Sequence, residues 1–260
     1  MIRWAVQVAQ RTCIGARARN EDRVAVEQLE DLWCLVLSDG AGGHGDGERA
    51  AQLAVENVLL GFRNRPPTDP QDLSEMILDA HDALIGAQRA AKEAGSRSAM
   101  HATAVVLLID TSAGQALWAH VGDSRLYVWR EGRLHSMTRD DSAIQGMLDA
   151  GLLDAARLHE IRHRSVLLAA LGSAEEIVPH ISEPFSLQSE DVFLLCSDGW
   201  WNTLEPQFDT RLLGGGVTPD DWLDQMLAQT LAVGDPRQDN LSAIACRIDA
   251  PAMAGRFACP

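Results

Sequence analysis

The chain predicts an α+β fold in which two mainly antiparallel sheets carry helices on their outer faces. Three observations predict it. Short apolar, β-prone runs recur along most of the 260 residues, with only two long helical blocks among them, an order that argues against a doubly wound parallel sheet. Two of those runs end alike, at Ser38-Asp39-Gly40 and Ser197-Asp198-Gly199, so two buried strands each deliver a carboxylate to the end of a layered core. Apolar residues make up 46% of the chain, enough for one sizeable core, and chains of this length often form a single domain.

Taken in order, residues 3–9 alternate as a strand and 23–29 form a second, with a turn at 17–22 between them. Residues 32–37 (LWCLVL) are apolar without alternation, as in a strand buried on both faces. After Gly40 come Gly42, Gly43, Gly45 and Gly47, and then a helix over 48–62, apolar at Ala51, Leu53, Ala54, Val58, Leu59 and Phe62. Residues 63–70 are a proline-rich connector. A long amphipathic helix follows over 72–94, apolar at Leu73, Met76, Ile77, Ala80, Leu84, Ala87 and Ala91, and ended by Gly95. His81, on its polar side, is expected to be solvated. Strands are expected at 103–109, 115–121, 125–130 and 133–135, the last two joined by a two-residue turn at Glu131-Gly132. Residues 141–171 read as short helices and loops. A strand at 192–196, a helix at 221–233 opened by Pro219-Asp220-Asp221, and a strand at 241–248 complete the domain. The domain is thus expected over 1–249, with 250–260 as a disordered tail.

Composition narrows the function. A formal net charge of −15 leaves no basic footprint for nucleic acid and disfavours an anionic membrane. No segment approaches the roughly 20 apolar residues of a spanning helix, and residues 1–10 lack the pattern of a signal peptide. The five cysteines are odd in number and form no C-x-x-C pair. Cys34, Cys196 and Cys246 sit in apolar runs, where a free thiol behaves as a small hydrophobe. A reducing, cytoplasmic compartment and a monomer are expected.

A buried strand that ends in a carboxylate, followed by backbone without side chains, suits a hard cation held by oxygen ligands. Asp-Gly is also a common turn dipeptide. The device recurs, however. Asn20-Glu21-Asp22, Asp39, Asp198 and Asp239-Asn240 all fall at strand edges, and a polycarboxylate metal cluster explains four such sites better than four separate turns.

Arg17-x-x-Asn20-Glu21-Asp22, Asp39-Gly40-x-Gly42-Gly43, Val121-Gly122-Asp123-Ser124-Arg125, Ser197-Asp198-Gly199 and Asp239-Asn240 resemble, in order and approximate spacing, the motifs of the metal-dependent protein serine/threonine phosphatases of type 2C (the PPM family), nearest to its compact bacterial branch. The resemblance runs from about residue 15 to 248. It implies a four-layer α-β-β-α sandwich around two Mn²⁺ or Mg²⁺ ions, with a third ion held more weakly. Asp39 would bridge the two ions and Gly40 would offer its carbonyl oxygen. Asp198 and Asp239 would complete one ion, and Asp22, with Glu21 nearby, would orient waters on the other. Asp123 would join Asp198 at the third ion, Arg17 would hold the substrate phosphate, and Asn240 would support the ligands from behind. Two cations lower the pKa of a water and offset phosphoryl charge, and arginine's planar fork suits a phosphate. Direct hydrolysis, with no Ser, Cys or His nucleophile, is expected.

The pattern is broken at three places. Ala41 stands where eukaryotic relatives have a histidine, and His44 lies three residues on, so water is expected to protonate the leaving group. His120 stands where Asn is usual, read as a supporting substitution rather than a ligand. Asp141 stands where His is usual. Residues 142–171 resemble a flap beside the site, where Arg157, Arg162, His163 and Arg164 could meet an acidic partner. The implied substrate is a phosphoprotein, with a serine/threonine kinase and its targets as partners; control of type VI secretion is one pathway in which such a pair operates. Two alternatives stay open: a catalytically silent phosphoprotein-binding relative, and a hydrolase of small phosphoesters.

Overall fold

The computed structural model describes residues 3–42, 46–96, 98–151, 167–204 and 216–250. Two antiparallel sheets carry the fold. The first runs β1 (Ala5–Cys13), β12 (Leu241–Asp249), β11 (Val192–Cys196), β7 (Arg125–Arg130) and β8 (Arg133–Met137). The second runs β10 (Phe185–Ser186), β6 (Gln115–Val121), β5 (Ala104–Asp110), β3 (Leu32–Ala41) and β2 (Asp22–Leu29), with β4 (His101–Ala102) on β3 and β9 (His180–Ile181) on β6. Helices α1 (Asp46–Asn64) and α2 (Pro70–Glu93) cover the second sheet; α4 (Asp198–Leu204) and α5 (Pro219–Val233) cover the first. The short α3 (Ala143–Asp149) follows β8. The expected sandwich is present.

Three apolar layers explain why the strands look uniformly hydrophobic although they are antiparallel. Successive side chains of a strand point to opposite faces. Cys34 and Val36 meet α1 and α2, whereas Leu35 and Leu37 turn to the other sheet. Across the inner layer, Phe193, Leu195, Ile244 and Cys246 face back, and their neighbours Leu194, Cys196, Ala243 and Ala245 meet Trp200, Trp222 and Met226 outside. Both faces are dry, so no alternation survives in the sequence. Each fully buried Leu or Phe contributes roughly 1.5–3 kcal/mol, which is why the middle strands of each sheet are pinned in register.

Helix ends follow local chemistry. Asp69 caps α2 by accepting the Asp72 N–H at 2.9 Å, with Pro70 in the first turn. Thr218 caps α5, accepting the Asp221 N–H at 3.1 Å, so that helix begins two residues before the sequence reading placed it. Strand β1 runs four residues further than expected, through the polar Gln10-Arg11-Thr12, because its nine-residue ladder with β12 is set by a partner more than 200 residues away. The two-residue strands β4, β9 and β10 had no sequence signal. Glu131 and Gly132 form the expected hairpin turn, both with positive φ. Cys34, Cys196 and Cys246 are buried free thiols, and burial pushes the Cys34 and Cys246 thiols well above their usual range. Among the described residues no helix is long and apolar enough to cross a membrane. His44, Arg157, Arg162, His163, Arg164 and the tail beyond 250 lie outside the described residues.

Candidate metal centre

The two sheets bring five strand ends to one edge of the sandwich. Asp22, at the start of β2, stands directly opposite Asp39 in β3. Thr103, just before β5, ties this edge together: it accepts the Asp39 N–H at 2.9 Å, gives its own N–H to the Asp39 carbonyl at 2.8 Å, and shares a 2.7 Å hydrogen bond with Ser124 after β6. The serines of the two Ser-Asp-Gly motifs do different work. Ser38 Oγ donates to the Thr103 carbonyl at 2.7 Å, inside its own sheet. Ser197 Oγ reaches across to the other sheet, donating to Asp22 Oδ2 at 2.8 Å while accepting the Ser242 N–H at 3.1 Å.

Asn240 holds the loop that carries Arg17 and Glu21. Its Oδ1 accepts the Glu21 N–H at 2.8 Å, and its Nδ2 donates to the carbonyls of Ile14 at 2.8 Å and Arg19 at 2.9 Å. Close backbone approach completes the edge. A Cβ at Gly40 would lie 1.9 Å from the Gly47 carbonyl oxygen, and one at Gly199 would lie 2.1 Å from that of Asn240. This is what the glycines beside each aspartate are for.

The result is an acidic cleft of about 500 Å³ lined by Arg17, Glu21, Asp39, Gly40, Thr103, Asp123, Asp198, Asp239 and Asn240, among others. Asp22 sits behind it, 2% exposed. Burial, and then the charges of Asp22, Asp198, Asp123 and Asp239, hold the Asp39 carboxyl well above its usual range. Burial followed by Asp123, Asp239 and Asp22 does the same to Asp198. Burial pushes Asp22 up to about 6, against the pull of hydrogen bonds from Ser242 and Ser197. The charges of these carboxylates press on one another, and the Arg17 guanidinium meets that of Asp239 alone by direct contact among the described contacts of the cleft. Asp22 Oδ1 is moreover buried with no hydrogen-bond partner, a costly state for a carboxylate oxygen. Oxygen donors in this number fit hard divalent cations. The residues present therefore fit the metals implied by the sequence.

Every residue singled out for the site converges here, the buried Asp22 included. Arg17 stands at the rim, its guanidinium 2.5 Å from Asp239 Oδ2 rather than against its near neighbours Glu21 and Asp22. Sequence reasoning missed Thr103 and the support beneath Asp123. Trp201 Nε1 donates to the Asp123 carbonyl at 2.9 Å, and Arg125 lies 3.5 Å over the Trp201 ring while its guanidinium grips both oxygens of Asp140. Arg125 was visible as the last residue of its motif, whereas Trp201 carried no signal. His81 departs from expectation: it is half-buried, with Nδ1 accepting the Gly172 N–H at 3.2 Å, and burial lowers its pKa. His120 is buried and donates to the Arg139 carbonyl without lining the cleft, and Asp141 takes the Gly122 N–H at 3.0 Å.

Comparison with known proteins agrees with this geometry. The model of the family described as protein phosphatase 2C matches residues 9–245. The serine/threonine protein phosphatase PstP of Mycobacterium tuberculosis is 30% identical over 231 residues; the match covers 88% of this chain, which spans only 42% of that relative's length. The crystal structure of the PstP catalytic domain in complex with two manganese ions superposes with a TM-score of 0.76 at 25% identity, covering 95% of this chain and 99% of that one. PppA, described as a key regulatory component of the type VI secretion system in Pseudomonas aeruginosa, superposes with a TM-score of 0.72 at 26% identity, covering 94% and 97%. With the family model spanning both sheets and each of the carboxylate strand ends, the chain belongs to the protein phosphatase 2C family.

Proposed function

We propose that the acidic cleft hydrolyses phosphoserine and phosphothreonine on proteins, and that it does so with two Mn²⁺ or Mg²⁺ ions. The observation that carries this reading is the meeting of Asp22, Asp39, Asp123, Asp198 and Asp239 from both sheets at one cleft, with Arg17 at its rim against Asp239. Asp39, whose carboxyl feels all four of the others, would be shared between the ions, with the Gly40 carbonyl beside it. Asp198 and Asp239 would hold one ion, and Asp22 and Glu21 would order water at the other. Asp123 would serve a third, weaker ion together with Asp198. When bound, the ions supply Lewis acidity, lowering the pKa of an attacking water and offsetting charge on the phosphoryl oxygens.

The chain's own residues do the positioning. Asn240 and Thr103 fix the strand ends, so that the carboxylates need little reorganisation when charge develops. Arg17, its side chain 57% exposed, can turn its two-pronged face from Asp239 to a phosphate. The leaving group would take its proton from water. A phosphoprotein handled by a cytoplasmic serine/threonine kinase is the matching substrate, and the likeness to PppA favours a kinase pair in type VI secretion control. Metal-dependent release of phosphate from a phosphothreonine peptide, compared with a nucleotide, tests the reading. Release from the peptide in Mn²⁺ but not in chelator is expected. Binding without turnover would indicate a silent phosphoprotein-binding module, and preference for the nucleotide a small phosphoester hydrolase.

A further inference from the structure

His120 and Asp141, two positions singled out in the sequence, meet in space. His180 completes the group. His120 in β6 and His180 in β9 stand directly opposite in register, and their rings stack with centroids 4.9 Å apart. His180 Nε2 lies 2.7 Å from Asp141 Oδ1. One nitrogen of each ring and one oxygen of Asp141 all lie within 4.8 Å of one another. We propose that His120, Asp141 and His180 form a second metal site, selective for a Zn²⁺-class cation and separate from the carboxylate cleft.

The donor set makes the distinction. Two imidazoles and one carboxylate suit Zn²⁺, Ni²⁺ or Cu²⁺, whereas Mg²⁺ favours oxygen ligands alone. Three protein ligands leave the fourth tetrahedral position to water. The outer hydrogen bonds are those a ligand triad needs. A carbonyl can only accept, so the 2.7 Å contact with Arg139 places the proton of His120 on Nε2 and a lone pair on Nδ1. The Gly122 N–H engages Asp141 Oδ2 and leaves Oδ1 to the cation. Burial keeps His120 below its ordinary pKa, hence neutral near pH 7. His180, with its side chain 56% exposed, opens the site to solvent. With its one ring proton carried on Nδ1, His180 presents the Nε2 lone pair, and the cation would take the place of the hydrogen bond to Asp141 Oδ1. The ion would tie β9 and the segment after β8 to the end of β6, one residue from the Gly122-Asp123 turn.

The proposal is independent of the reaction assigned to the cleft, and its test is a binding measurement. The full chain is stripped with chelator, supplied with excess Mg²⁺, and titrated with Zn²⁺ by calorimetry; Co²⁺ serves as an absorbing substitute. The wild type should bind one Zn²⁺ that His180→Ala, a change at an exposed position, weakens at least about tenfold. His120→Asn should weaken it likewise, and the visible Co²⁺ band should be lost in both variants while circular dichroism is unchanged. Equal Zn²⁺ affinity in the wild type and His180→Ala overturns the site. So does uptake that Asp39→Asn abolishes and His180→Ala leaves intact, because the ion then sits among the carboxylates.

Discussion

At the scale of the single residue, Arg17 presents two readings that kinetics can separate. As a rim salt bridge to Asp239 it would be worth at most about 1 kcal/mol. As a two-pronged donor to a phosphate it would contribute on the order of 1.5–3 kcal/mol. Arg17→Ala should therefore lower kcat/KM on a phosphothreonine peptide roughly 10- to 100-fold, mostly through KM. Arg17→Lys should recover only part, since a point charge cannot reproduce the fork. An unchanged kcat/KM in saturating Mn²⁺ would make Arg17 structural. Asp39→Asn removes the charge that Asp22, Asp123, Asp198 and Asp239 all press upon. It should abolish turnover and weaken both ions, and near-normal turnover would overturn the cluster. Asp123→Ala, at the edge, should still bind two ions tightly while losing activity; calorimetry that shows the tight sites gone would contradict its separate role.

At the scale of the element, the cleft depends on how strand ends are fastened. Asn240 is 6% exposed and makes three hydrogen bonds to the 14–21 loop. Removing it leaves one N–H and two carbonyls of that loop without these partners. Asn240→Ala should cost about 2–4 kcal/mol in urea unfolding and raise KM as the Arg17 loop loosens. A loss under about 0.5 kcal/mol, within the range of ordinary surface changes, would show the clamp to be dispensable. Gly40 is fixed by sterics instead, because the Gly47 oxygen occupies the place of a side chain.

At the scale of the whole molecule, two sheets converge carboxylates that oppose folding unless a cation is present. Asp22 gives the sign. Its folded pKa is raised from 3.8 to about 6, so below roughly pH 4 both folded and unfolded chains carry the proton and its contribution is fully present. As pH rises toward 6 the unfolded chain ionises first, and that stability is lost. In chelator, the unfolding free-energy advantage of wild type over Asp22→Asn, measured in urea, should shrink between pH 4 and 7 by an amount on the order of 2–3 kcal/mol. Mn²⁺ at pH 7 should then raise the wild-type melting temperature, because it binds only the folded form. An advantage that grows with pH, or a melting temperature indifferent to Mn²⁺, would sink this account.

The sequence by itself determined the long strands, the long helices and the identity of the carboxylates, because each is a local pattern. Residues 32–37 are apolar on both faces whichever partner they find, and Ser-Asp-Gly marks the strand's end in either sheet. Fold class could thus be read from one chain, and so could the carboxylates that the cleft gathers. Only the tertiary structure decided how these pieces meet. Asn240 reaches Ile14 across 226 positions of sequence, and the two serines of a repeated motif take unlike partners. Trp201 comes to rest beneath Asp123, and His120, Asp141 and His180 close into one group. Side-chain periodicity is set by neighbours along the backbone. Pairing is set by burial shared between segments far apart, and a local pattern carries no record of its partner.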